Sequence, residues 1–256
     1  MPSLDLDGLR FNYRFDGDTG PVLILSNSLG TNLGMWDAQI PAFSKRFRVL
    51  RYDQRGHGQT QLAPSAFGFD RLGRDVVALM DGLQIPKAIF CGLSMGGMTG
   101  MWLGANAPGR FEKLLLCNTS PHMPPPELWN TRIETATTKG MAVLVESVLA
   151  RWFTAPFLQR SPELVEPVRQ GLLQTAGAGY AACCAAIRDM DHRELVARIP
   201  LPTLVISGAQ DPATPPAAGQ YLAATIPGAR YVELDAAHLS NIEQTAAFND
   251  AVLQFI

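Results

Sequence analysis

Neither sign of charge dominates this chain: 21 Lys and Arg stand against 23 Asp and Glu, a formal net charge of −2. That balance supplies no basic stripe for nucleic acid and no polybasic patch for a membrane surface. Long apolar runs are missing as well, so no segment has the length to span a bilayer. Met1–Arg10 carries Asp5 and Asp7 in place of a basic start and an apolar stretch, which reads as neither signal peptide nor anchor. Cysteine is scarce, and Cys91, Cys117, Cys183 and Cys184 show no C-x-x-C spacing, which argues against zinc and thiol-redox motifs. Cys91 and Cys117 fall in apolar runs, and Cys183-Cys184 in an alanine-rich one, so all four read as core residues. Charged residues make up only 17% of the chain against 47% hydrophobic, enough to build a sizeable core. The expectation is a soluble, cytoplasmic protein with a small-molecule partner, no nucleic acid and no membrane. Its oligomeric state is not legible.

What the chain does have is alternation. Leu4–Leu6 and Leu9–Phe15 read as short strands joined at Asp7-Gly8. Val22–Leu25 is a continuous apolar run, as expected of a strand buried on both faces, and it leads into the polar loop Ser26–Thr31. Phe47–Tyr52 is a further strand, ending in Asp53-Gln54-Arg55-Gly56-His57-Gly58. Asp70 is placed to cap a helix whose Leu72, Val76, Leu79, Met80 and Leu83 keep helical spacing. Strand-like runs recur at Ala88–Cys91, Lys113–Cys117, Thr203–Ser207 and Arg230–Leu234, and Ile242, Phe248, Val252 and Leu253 mark a final helix. Such alternation predicts an α/β fold, a mostly parallel sheet flanked by helices, with ligands at the carboxyl ends of the strands.

The pattern changes after Ser120. Pro121 and Pro124–Pro126 mark a boundary, and Met141, Leu144, Val145, Val148, Leu149 and Trp152 form an apolar helical stripe. Ser161-Pro162 resembles an N-cap with proline at the first helical position, and Asp191 with Glu194 a capping-box start to one more short helix. The expected organisation is a core of residues 1–120 and 198–256, interrupted by a helical cap over 121–197.

Chemistry concentrates in Gly92-Leu93-Ser94-Met95-Gly96, a G-x-S-x-G elbow between a buried-strand run and a helix-like run. In that context the serine sits on a strained strand-to-helix turn with its Oγ exposed above the sheet. An alcohol needs a base to take its proton, and the base needs an orienting acid; with this elbow they follow in the order Ser, acid, His. Asp211 follows one late strand and His238 the next, so Ser94, Asp211 and His238 are the candidate triad. Asp235 and Glu233 compete for the acid, with Asp235 too close to His238 along the chain to orient its ring. His57 has no acid following it in the required order, His192 reads as surface-exposed, and His122 opens the proline-rich boundary. The oxyanion requires two N–H donors: Met95, after the nucleophile, and Leu29, on the loop after Val22–Leu25.

With these residues the chain resembles the α/β-hydrolase superfamily and, within it, the 3-oxoadipate enol-lactonases. The likeness is carried by Ser26-Asn27-Ser28-Leu29-Gly30-Thr31 with Met35-Trp36-Asp37, by Tyr52–Gly58, by Cys91–Met98, by Leu116-Cys117-Asn118-Thr119 and by Ala237–Glu243. Where many hydrolases of this fold have His-Gly, this chain has Asn27-Ser28; the donor is a backbone N–H, so the hole survives the change. The resemblance implies opening of a carboxylate-bearing lactone in the beta-ketoadipate pathway, through an acyl-enzyme on Ser94, with no metal or organic cofactor. A carboxylate wants a cation in a largely apolar pocket, which makes Arg132 the candidate clamp, with Trp129 and Trp152 as candidate lining. A carboxylesterase, a C–C bond hydrolase or a ligand-sensing protein with a slow triad would share the same core. Dehalogenases and epoxide hydrolases use an aspartate nucleophile, and position 94 is serine.

Overall fold

The computed structural model describes residues 2–63 and 65–256. Among these, eight strands form one sheet in the order β1-β2-β4-β3-β5-β6-β7-β8. β1 (Ser3–Leu6) and β2 (Leu9–Asp16) pair antiparallel around Asp7 and Gly8, both at positive φ, and β2 is antiparallel to β4 (Arg48–Tyr52). The other strands are β3 (Val22–Ser26), β5 (Ala88–Leu93), β6 (Phe111–Cys117), β7 (Thr203–Gly208) and β8 (Arg230–Leu234), all paired in parallel. β3, β5 and β7 are buried at every position, which is why they read as unbroken apolar runs. Along β3 the two faces still alternate: Leu23 and Leu25 join the core that holds Trp36 and Phe43, Val22 and Ile24 the one that holds Val76 and Met101. Each such side chain contributes about 1.5–3 kcal/mol on burial.

The helices of the core are α1 (Ile40–Phe43), α2 (Phe69–Gly82), α3 (Met95–Asn106) and, after the insert described next, α9 (Pro216–Thr225), α10 (Ser240–Glu243) and α11 (Thr245–Phe255). Between β6 and β7 stand α4 (Pro126–Thr138), α5 (Val145–Trp152), α6 (Ala155–Arg160), α7 (Pro162–Gln174) and α8 (Gly177–Arg188). The strand order turns back at β3: the chain passes out to β4 and then crosses to β5 on the other side. The loops after β3 and β5 therefore part at their carboxyl ends, which opens the crevice where such sheets bind ligands. No described helix is long and apolar enough to cross a membrane.

Several local expectations are corrected. Gly68, not Asp70, is the N-cap of α2; Asp70 is the second helical residue, where its carboxylate still complements the helix dipole. The Met141–Trp152 stripe is a 3-10 turn at Met141–Val143 followed by α5, and the C-terminal stretch breaks into α10 and α11 at Gln244. Ser161 precedes Pro162 as expected, but its hydroxyl makes no capping bond. Asp191 and Glu194 start no α-helix, because the backbone there is engaged elsewhere: Asp191 bridges to His122, and the His192 N–H donates to Pro121 O at 2.8 Å. That stitch joins the entry and exit of the insert. It also buries His192, whose ring packs edge-on against Phe69, where the sequence suggested exposure.

Burial lowers the pKa of both His57 and His192 from 6.5 to about 4. Between those values the unfolded chain binds more protons than the native one, so stability falls as pH drops, by about 1.4 kcal/mol per pH unit per histidine. Urea midpoints taken from neutral pH down to about 4.5 test this. His192→Gln should flatten the dependence by about one proton, and an unchanged slope would contradict the assignment.

Candidate active site

Ser94 occupies the junction of β5 and α3 at φ 57°, ψ −114°, a conformation that L-residues rarely adopt. Hydrogen bonds hold it from the carboxyl end of β6: its N–H donates to Cys117 O at 2.9 Å, and Thr119 Oγ1, just past the strand, donates to its carbonyl at 2.8 Å. The turn closes because glycines flank it. A Cβ on Gly96 would lie 2.2 Å from Ser26 O, and one on Gly92 would lie 2.2 Å from Gly96 O.

His238 follows β8 and Asp211 follows β7, and their side chains meet with Nδ1 and Oδ2 at 2.8 Å. The carboxylate is surrounded by donors. Oδ2 also accepts from Thr214 Oγ1 (2.7 Å) and Asn118 Nδ2 (3.1 Å), and Oδ1 accepts from the backbone of Ala213 (2.8 Å) and Thr214 (3.0 Å). Burial pushes the Asp211 carboxyl up, but the adjacent His238 and these hydrogen bonds outweigh it, and its pKa lies below the ordinary value. The rivals are elsewhere: Asp235 accepts from Gln210, Glu233 from Tyr231. Asn118 itself sits at φ 43° and accepts from Ser240 Oγ at 2.6 Å.

The loop after β3 is pinned from beneath. Trp36 Nε1 donates to Asn27 Oδ1 (2.9 Å), Gln54 Nε2 to Asn27 O (2.8 Å), and Asn27 Nδ2 to Tyr52 O (2.8 Å). The N–H groups of Leu29, on this loop, and Met95, at the start of α3, donate to no backbone or side-chain acceptor among the described residues.

One cavity collects these groups. Ser28, Leu29, Ser94 and His238 line it from the core, Trp129, Arg132, Arg151, Trp152 and Tyr180 from the insert. Trp152 stacks on His238, with ring centroids 6.3 Å apart and 28° between planes. Arg132 lies over the Trp129 ring at 5.3 Å and donates to Tyr180 Oη at 3.4 Å. Burial, and then the charge of Arg132, lowers the pKa of Arg151. Among the described residues neither arginine has a carboxylate within ion-pair distance. A wider cleft, over Arg55, Phe69, Trp102 and His192, includes none of Ser94, Asp211 and His238.

The sequence profile described as alpha/beta hydrolase fold matches residues 21–136 and 145–245. The chain belongs to the alpha/beta hydrolase fold family. It is 43% identical over 251 residues to 3-oxoadipate enol-lactonase 2 of Acinetobacter baylyi, covering 98% of this chain and 94% of that one. Identity to 3-oxoadipate enol-lactonase 1 of the same organism is 39%, over 94% and 91% of the two chains. The crystal structure of the enol-lactonase from Burkholderia xenovorans LB400 superposes with a TM-score of 0.97 at 47% identity, covering 99% of each chain.

Within this alpha/beta hydrolase, the residues put forward from the sequence for the triad, the oxyanion hole and the substrate lining lie at the cavity or next to it. Ser94, His238, Leu29, Trp129, Arg132 and Trp152 line it, Asp211 stands behind His238, and Met95 opens α3 beside Ser94. Arg151 and Asn118 were missed. A basic residue one turn after Val148, beside Trp152 on an apolar stripe, was the available signal for the first. The second stands in the Leu116–Thr119 stretch, where nothing local points to its distant partners.

The close approach at the elbow predicts the behaviour of Gly96→Ala. The added methyl must push β3 and α3 apart, which costs about 1–3 kcal/mol of stability. Displacement of the Ser94 turn should also reduce turnover of p-nitrophenyl acetate at least about tenfold. Urea unfolding and steady-state rates check both, and a variant indistinguishable from wild type would refute the packing argument.

Proposed function

We propose that this chain is a serine hydrolase that opens the lactone ring of 3-oxoadipate enol-lactone to 3-oxoadipate, the activity for which its Acinetobacter relatives are named. The observation that carries the substrate class is the pair Arg132 and Arg151, two cations without acidic partners in the same cavity as Ser94 and His238. An anion between them would relieve their mutual repulsion and supply the missing charge. In this reading residues 121–197 form the cap, which contributes the carboxylate subsite, while Trp129 and Trp152 enclose the apolar part of the ring.

Asp211 takes the Nδ1–H of His238, leaving Nε2 as the base. No hydrogen bond joins Ser94 to His238 in this structure, and catalytic contacts of this kind tighten when substrate enters. Ser94 Oγ then bonds to the lactone carbonyl carbon as its proton passes to Nε2. The carbonyl oxygen becomes an oxyanion facing the N–H groups of Leu29 and Met95. Collapse breaks the ring C–O bond, and the ring oxygen leaves as an enol that takes the proton from His238. An enolate leaves more readily than an alkoxide, so the task of the acid is light. Water, deprotonated by His238, attacks the acyl-enzyme; Ser94 regains its proton, and the freed enol tautomerises to the ketone.

Steady-state rates for the lactone and for p-nitrophenyl acetate test this reading. Ser94→Ala should lower kcat/KM for both by about 10⁴-fold or more. Arg132→Ala and Arg151→Ala should each lower kcat/KM for the lactone by about 10- to 100-fold while leaving the neutral ester within about twofold. If the wild type turns over the ester and not the lactone, the hydrolase stands and the substrate assignment fails.

A further inference from the structure

We propose that His57 is a positioning residue for the oxyanion hole, gripping Gly30 together with Thr175 and so fixing the N–H of Leu29. The inference rests on the acyl-transfer reading of Ser94. His57 lies on the loop after β4. Its Nε2 accepts the Gly30 N–H at 2.8 Å, and its Nδ1 lies 3.3 Å from Arg55 O. A backbone N–H can only donate, so Nε2 holds the lone pair and Nδ1 the proton. The ring is neutral at ordinary pH, because burial lowers its pKa to about 4. With Nε2 already engaged, His57 is no rival to His238 as the base.

The insert holds the same residue from the other side. Thr175 Oγ1 donates to Gly30 O at 2.9 Å. Gly30 is at φ +81°, and a Cβ there would lie 2.8 Å from Leu172 and 3.2 Å from the Tyr180 ring. The loop geometry explains why this grip matters for Leu29. Thr31 anchors Ser28 O through its N–H (3.2 Å) and its Oγ1 (2.8 Å), and Ser28 O shares a peptide plane with the Leu29 N–H. His57 fixes the next plane, the one that carries the Gly30 N–H. With both planes set, the Leu29 N–H has one direction. Without an acceptor on His57, a buried N–H is left unpaired, and the plane turns to find another partner.

The supporting footing is strong. Arg55, whose carbonyl faces Nδ1, is bound through Nε and Nη2 to the two oxygens of Asp75, each at 2.6 Å. The clasp on the oxyanion loop thus ends on a buried ion pair rather than on a mobile side chain.

The test compares His57→Leu, His57→Gln and Thr175→Val in the full chain, using p-nitrophenyl acetate and phenylboronic acid, which forms a tetrahedral adduct on an active serine. Circular dichroism and Tm confirm the fold of each. His57→Leu should lower kcat by about 10- to 100-fold with KM within about twofold, and weaken the boronic acid by a similar factor. His57→Gln, whose amide oxygen can accept where Nε2 does, should recover most of both losses. Thr175→Val should lower both several-fold, and it decides the matter if His57→Leu does not fold. The proposal is overturned if a folded His57→Leu keeps kcat and boronic acid affinity, if Gln fares no better than Leu, or if the loss lies in KM alone; with His57→Leu unfolded, an unaffected Thr175→Val overturns it. Ser94→Ala is measured alongside: retained ester turnover there would instead defeat the acyl-transfer reading itself.

Discussion

The backbone of Ser94 is the constraint on which the neighbouring structure depends. A non-glycine residue at φ 57°, ψ −114° costs about 1–3 kcal/mol and persists only where its surroundings leave no alternative. Here those surroundings are three parallel strands. β6 supplies Cys117 O as acceptor for the Ser94 N–H, β3 leads to Asn27 O as acceptor for the Gly96 N–H, and β5 delivers the chain into the turn. Gly92 and Gly96 are glycine because the backbone atoms of Gly96 and Ser26 already fill the space of a side chain. Burial of β3 and β5 on both faces offsets the strain, so the core and the elbow are one problem solved together.

Charge is handled differently in the interior and in the cavity. Arg51 binds Asp16 and Arg55 binds Asp75, all four side chains nearly inaccessible, so each buried ion meets an opposite one. Asp211, also buried, is satisfied by His238, Thr214, Ala213 and Asn118. Arg132 and Arg151 break the rule. Leaving charged groups unmatched in an aromatic-lined cavity is unfavourable for the folded state alone, a cost that the proposed carboxylate ligand would offset.

How much of this was legible in the sequence follows from the range of the interactions. The strands, the mostly parallel sheet, and Ser94, Asp211 and His238 as candidates all rest on local patterns: apolar runs, glycine spacing, and polar residues just past strand ends. The errors fall where distant chain segments decide the outcome. Asp191 and Glu194 have the composition of a helix start, but the backbone of Asp191 and His192 is taken by Pro121 and His122, some seventy residues earlier in the chain. The same pairing buried His192. Asn118 was visible only as part of a motif, because its partners, Asp211, Ala237 and Ser240, lie about a hundred residues away. Nothing local to Arg151 fixes it as a cavity residue, and the placement of α5 over His238 is what turns it inward.

That placement of α5 also joins recognition to chemistry. Its last two residues are Arg151, one of the two unmatched cations, and Trp152, which stacks on the His238 ring. The residues on either side of His238 are tied to the same region. The Leu239 N–H donates to Trp152 O at 3.0 Å, and Glu243 accepts from the Ala237 N–H at 3.0 Å as well as from the backbone and hydroxyl of Thr154. On the opposite wall, Arg132 bonds to Tyr180, whose ring packs against Gly30 beside the Leu29 N–H. A ligand held by the two arginines therefore bears on the elements that fix the base and the oxyanion loop. In the proposed reading the insert is a working part of the site, and altering its cavity-lining side chains without disturbing the geometry at Ser94 requires leaving the Trp152, Tyr180 and Glu243 contacts in place.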